Sequence, residues 1–123
     1  MKRVDLTKLP VEGLVEQFRN YALQQDEALL SGEQGKVNRL FWKLRCVEVE
    51  LKRRHGDQRA ALLRLYEHPN AQVRVKAVKA SLAVAPERGR QALQALADSK
   101  EYPAAMEASM SIRALDRGIF KPS

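Results

Sequence analysis

Apolar residues recur along this chain at intervals of three and four, and most of the runs are closed by glycine or proline. Val11, Leu14, Val15, Phe18, Ala22 and Leu29 form one stripe, which predicts a helix from Pro10 to about Ser31-Gly32. Pro10 suits the first turn, where a missing N–H loses no partner. The spacing predicts a second helix from about Glu33 to Arg54, stopped at Gly56. Its main stripe is Val37, Leu40, Phe41, Leu44, Val47 and Leu51, while Trp42, Cys46 and Val49 make another on a different face. Two apolar faces mean packing on two sides, or one face left for a partner. Burial of both is the preferred reading. Asp57 can cap a third helix with Leu62, Leu63, Leu65 and Tyr66 inward, ended by Pro69. Asn70 can cap a fourth, on which Val73, Ala77, Ala80 and Val84 share one face. Pro86 opens a fifth with Ala92, Leu93, Ala95 and Leu96. Tyr102-Pro103 opens a sixth with Ala105, Ala108, Ile112 and Leu115 inward, after which Ile119 and Phe120 fold back over the final pair.

The segment Arg59 to Val84 breaks at His68-Pro69-Asn70 and then carries Val73, Arg74, Ala77, Ala80 and Leu82 at fixed offsets. That pattern resembles a HEAT repeat, the helix-turn-helix unit of curved α-solenoids. Leu65, Ala77 and Ala80 recur about 31 residues later as Leu96, Ala108 and Ser111, a period typical of helical arrays. The expected fold is therefore all-α: a short HEAT-like α-α superhelix of about six helices in three antiparallel hairpins. The hairpins fall at about residues 10–55, 57–84 and 86–117. Residues 1–9, charged and unpatterned, are expected as a flexible N-terminal arm, and residues 10–123 as one α-helical repeat domain. In HEAT-like units an Arg after the Val of the second helix often reaches an acidic residue of the next repeat, so Arg74 is read as structural.

Further segments resemble a small bacterial family known as domain of unknown function 2019. They are Tyr21 to Leu29, Val37-Asn38-Arg39-Leu40-Phe41, Leu62 to Pro69-Asn70, Gln72-Val73-Arg74 and Ala114 to Pro122. The resemblance spans about residues 11–122 and implies a compact α-helical superhelix. It carries over no catalytic or ligand residues.

Composition adds a charge asymmetry. The net charge is +7, yet residues 1–35 hold four basic against six acidic residues, and residues 36–79 hold twelve against four. The excess in the middle helices suggests an acidic partner or polyanion, with a merely solvated basic surface as the plain alternative. Apolar residues make up 45% of the chain, enough for a globular core, with no apolar run near the length of a membrane span and no signal-peptide core. The single Cys46 cannot form an internal disulfide, so the expected setting is the cytoplasm.

Candidate chemistry is sparse. One Cys and two separated histidines, His55 and His68, offer no metal-ligand spacing, and each glycine stands near a predicted helix end rather than in a phosphate loop. No serine stands in a nucleophile context, and the acidic pairs Asp26-Glu27 and Glu48/Glu50 read as counter-charges for neighbouring Lys and Arg. No enzyme and no cofactor is expected. The leading expectation is a protein-interaction module for an acidic protein partner, one version being a bacterial immunity protein that neutralises a toxin. Its expected contact residues are Lys36, Arg39, Lys43, Arg59, Arg64, Lys76 and Lys79. The alternative is sequence-independent nucleic-acid binding along a track that adds Lys52, Arg53 and Arg54. Monomer and dimer both stay open, the dimer following if the Trp42-Cys46-Val49 stripe is exposed.

Overall fold

A computed structural model describes residues 4–123 and contains only helices and turns among them. The protein is all-α. It comprises two compact units, Met1–Ala61 and Leu62–Ser123, where the sequence suggested one repeat domain over 10–123.

In the first unit, helices α1 (Val11–Leu30) and α2 (Gln34–Arg53) pair as a hairpin. Both boundaries lie within one or two residues of those predicted, because three- and four-residue spacing and the Gly32 turn are local signals. Leu14, Val15, Phe18, Ala22 and Ala28 of α1 are buried, as are Leu40, Leu44, Val47 and Leu51 of α2. Gln25 is buried as well, and its side-chain amide donates to the Val37 carbonyl across the hairpin at 3.2 Å. Of the arm expected at residues 1–9, the described part is tied down. Leu6–Lys8 form a single 3-10 turn capped by Asp5, whose carboxylate accepts from the Thr7 N–H at 3.1 Å. Arg54 then donates to the Leu6 and Leu9 carbonyls at 3.0 and 2.8 Å, giving this short stretch partners a mobile arm would lack. Residues 1–3 lie outside the described residues.

The third predicted helix is not an α-helix. Gln58–Glu67 winds as a 3-10 helix, and the boundary between the units falls within it. Arg59, Leu62 and Leu65 are its buried residues, spaced by three, which is the period of a 3-10 face. Leu63 and Tyr66, expected inward on an α-helical stripe, are only half-buried. Asp57 does not cap an α-helix but sits at φ 49°, its carboxylate accepting from the Arg59 N–H at 3.3 Å.

The second unit contains α3 (Ala71–Ser81), α4 (Pro86–Asp98) and α5 (Ala104–Asp116). Each of these packs on the other two. Asn70 caps α3 as expected, accepting from the Val73 N–H at 3.1 Å, and Pro86 occupies the first turn of α4. The core joins Val75, Val78, Leu82, Leu93, Leu96, Ala104 and Ala108. Gly118, at φ 69°, lets the chain reverse after α5, so that Phe120 packs against this core. Ile119, expected beside Phe120, points to solvent instead.

Gly89 of α4 sits directly against Leu82. A Cβ there would stand 2.3 Å from Leu82 Cδ1, and Leu82 is itself only 2% exposed. Alanine would add about 1 kcal/mol of helix propensity but force the core to yield, an overpacking cost of about 1–3 kcal/mol. Gly89→Ala is expected to lower the urea midpoint, with a net loss near 1 kcal/mol. Combining it with Leu82→Ala is expected to leave the second substitution less costly than it is alone, since the shortened side chain makes room.

Candidate functional site

The basic residues singled out in the sequence divide between the two units and differ in what they can reach. In the first unit, Arg39 and Lys43 are exposed and Lys36 is half-buried. Among the described residues none of these three forms an ion pair; Lys43 lies 5.5 Å from the centroid of the Tyr21 ring, a cation–π distance. Arg59, expected at the contact surface, is 5% exposed. Its guanidinium donates to both Asp57 carboxylate oxygens, at 2.9 and 2.7 Å, and this bidentate pair anchors the 3-10 segment. The hydrogen bonds from Arg59 hold the Asp57 carboxyl below the usual carboxylate range, against the opposing effect of burial. Arg59 is therefore structural, a role hidden in the sequence because burial of a single Arg leaves no periodic trace.

In the second unit Arg64 is exposed, while Lys76 and Lys79 converge on Glu107 of α5 at 2.9 and 3.1 Å. Burial alone would raise the Glu107 carboxyl, but the two ammonium charges and their hydrogen bonds outweigh it and lower it. Arg74 pairs with Glu101 and donates to the His68 carbonyl at 3.3 Å, the inter-hairpin tie expected of it. His68 also has a local role, its Nδ1 accepting from the Asn70 N–H at 3.0 Å. At the end of α2, Glu50 is buried and accepts from Arg53 at 2.7 Å and from Arg54 at 2.5 Å. The hydrogen bond from Arg54 is the main reason its carboxyl lies low.

The second apolar stripe of α2 departs most from expectation. Trp42 is 63% exposed and Val49 47%, with Cys46 exposed between them. Phe41, assigned to the inward stripe, is exposed too and meets the Trp42 ring edge-on, centroids 5.3 Å apart. Leu40, Leu44, Val47 and Leu51 are buried on the side of α2 that pairs with α1, and beyond α1 the one element of this unit described against α2 is the short 3-10 turn Leu6–Lys8. Val4 and Leu6 rise alongside, and with Trp42, Cys46 and Val49 they line an open groove of about 550 Å³. Asp5, Arg45 and Glu50 border it. A second exposed stripe runs along Tyr102, Met106 and Met110, four residues apart. That regular spacing was the available signal for it in the sequence.

A smaller cleft of about 240 Å³ in the second unit holds Arg74 and Glu101, which pair with each other. Among the described residues no three His, Cys, Asp or Glu side chains gather closely enough to hold a metal ion. No helix among them is long and apolar enough to cross a membrane.

Comparison with known proteins places these features in a wider frame. The model of a family described as Domain of unknown function (DUF2019) matches residues 12–116. Among solved structures, the crystal structure of the protein RPA1889 from Rhodopseudomonas palustris CGA009 is similar at 45% sequence identity and a TM-score of 0.94. The alignment covers 98% of this chain and 100% of that one. No curated protein matches the sequence.

Proposed function

The chain belongs to the DUF2019 family, and we propose that it is a non-enzymatic module that binds a protein partner through that partner's acidic surface. The observation that carries this reading is the charge of α2. That helix holds six Lys or Arg against two Glu, a net +4, and its Lys36, Arg39 and Lys43 form no ion pair among the described residues. Charges left on an exposed helix steer an oppositely charged partner and favour its encounter. One concrete form of the reading is an immunity protein that masks a toxin, and a cytoplasmic setting suits the free thiol of Cys46.

Nucleic-acid binding along the basic track is less favoured. Arg53, Arg54, Arg59, Lys76 and Lys79 are half of that track, and all are engaged by carboxylates. Phosphates would have to displace those partners before counterion release could drive binding.

Affinity purification of the tagged protein from its native cells is expected to recover a stoichiometric acidic protein. The double variant Lys36→Glu/Lys43→Glu is expected to weaken that capture about 10-fold or more. Recovery of no such partner, together with tight binding of labelled DNA or RNA at about 50 mM salt, would reverse the choice between the two readings.

A further inference from the structure

Trp42, Cys46 and Val49 follow one another by four and three residues, so they form a single line on the side of α2 away from its buried Leu44 and Val47. The residues that continue this line are basic. Arg39 precedes Trp42 by three positions, Arg53 follows Val49 by four, and Arg45 lies three after Trp42 and four before Val49. The opposite wall of the groove is tied to α2 at Leu6, because Arg54 donates to the Leu6 and Leu9 carbonyls. The floor is thus a straight apolar strip, lined on one side by Arg45 and continued along α2 at both ends by arginine positions.

From this arrangement we infer that the groove between Val4–Leu6 and α2 docks an amphipathic helix of a partner protein, apolar on one face and flanked there by Asp and Glu. The inference rests on the acidic-partner reading above and assigns it a specific site. Helices seat in such grooves by anchors one turn apart, the spacing that Trp42, Cys46 and Val49 present. Charge selects the acidic helix over a second copy of this chain. A two-fold contact through this face would lay one helix of net +4 along another, a net repulsion that an acidic helix does not meet. Of the acids nearby, Asp5 accepts hydrogen bonds from Thr7, Glu48 pairs with Arg45, and Glu50 is shared by Arg53 and Arg54. Counting Arg39, four arginines stand against these three acids on α2 and the stretch beside it.

Trp42 is the only tryptophan, so its fluorescence reports the groove directly. The test uses a helical peptide of about 20 residues with Leu at one-turn intervals flanked by Glu, a twin with Lys replacing Glu, and a third with Ser replacing Leu. The acidic peptide is expected to move Trp42 emission to shorter wavelength and to saturate, while the other two bind at least about 10-fold more weakly. Val49→Lys, at an exposed position, is expected to keep the helical circular dichroism and weaken the acidic peptide by about 10-fold, although it adds a favourable charge. Cys46→Lys repeats the test at a second exposed position. The inference is overturned if the acidic peptide gives no saturable shift, or if the Lys twin binds equally well. It is also overturned if the shift grows with protein concentration alone and sedimentation reports a dimer. Capture of the native partner that survives Val49→Lys but not Lys36→Glu/Lys43→Glu sinks the groove and leaves the acidic-partner reading intact. Capture that survives both overturns the reading as well.

Discussion

Phe18→Ala is expected to destabilise the protein by about 3–5 kcal/mol, whereas Trp42→Ala is expected to change stability by less than about 0.5 kcal/mol. Both are aromatic residues on the same helical hairpin, and both stand on apolar stripes of the sequence. Phe18 is 1% exposed and is the largest of the fully buried side chains. Truncating it removes transfer free energy and leaves a cavity that α1 and α2 cannot close without moving as rigid helices. Trp42 stands mostly in water, so its removal uncovers little. Urea denaturation followed by circular dichroism separates the two. A loss comparable to that of Phe18→Ala at Trp42 would mean that the outer face of α2 is packed after all. The contrast also isolates function from folding, since a variant at Trp42 that abolishes partner capture does so on an intact fold.

The second large effect lies in the other unit. Glu107→Ala is expected to cost about 2–4 kcal/mol, because it strands two ammonium groups, Lys76 and Lys79, on half-buried positions one turn apart. A further cost is mutual repulsion between the two lysines, which the carboxylate now bridges. Lys79→Met, which keeps one lysine for Glu107, is expected to cost clearly less. The same site sets part of the pH response. The Glu107 carboxyl titrates lower in the folded protein than in the unfolded chain, where it lies near the ordinary value of about 4.3. Its contribution is therefore fully present above that value and is lost as the pH falls through the lower folded value. Glu50 and Asp57 are shifted in the same direction and add to the same acid limb. Denaturation midpoints measured from pH 7 downward are expected to fall in acid, and Glu107→Gln is expected to flatten that fall without abolishing it. An unchanged acid limb in Glu107→Gln would show that the lysines do not hold the carboxylate ionised.

Much of the helical layout was legible because its signals are local. Asn70 caps α3 through the N–H of Val73 only three residues on, and the stripes of α1 and α2 lie within single helices. The third element escaped because both α and 3-10 windings satisfy a run containing Leu62 and Leu65; burial of Arg59 in step with them marks the tighter winding. The contact residues were legible as a charge excess but not as individual roles. Arg59 is committed to Asp57 within its own turn, while Lys76 and Lys79 meet an acid 31 and 28 residues away, a distance over which spacing carries no information.

The sequence by itself determined that this chain is helical, where α1 and α2 begin and end to within one or two residues, and that α2 carries two apolar faces and a net +4. These follow from periodicity and capping, which act within a few residues. Only the tertiary structure decided which face of α2 is spent on the core. Periodicity sorts residues onto faces, but a face is buried only if another element arrives to cover it. Here α1 covers Leu40, Leu44, Val47 and Leu51, the tied-down Val4–Leu6 stretch borders the other side, and Trp42, Cys46 and Val49 are left facing water.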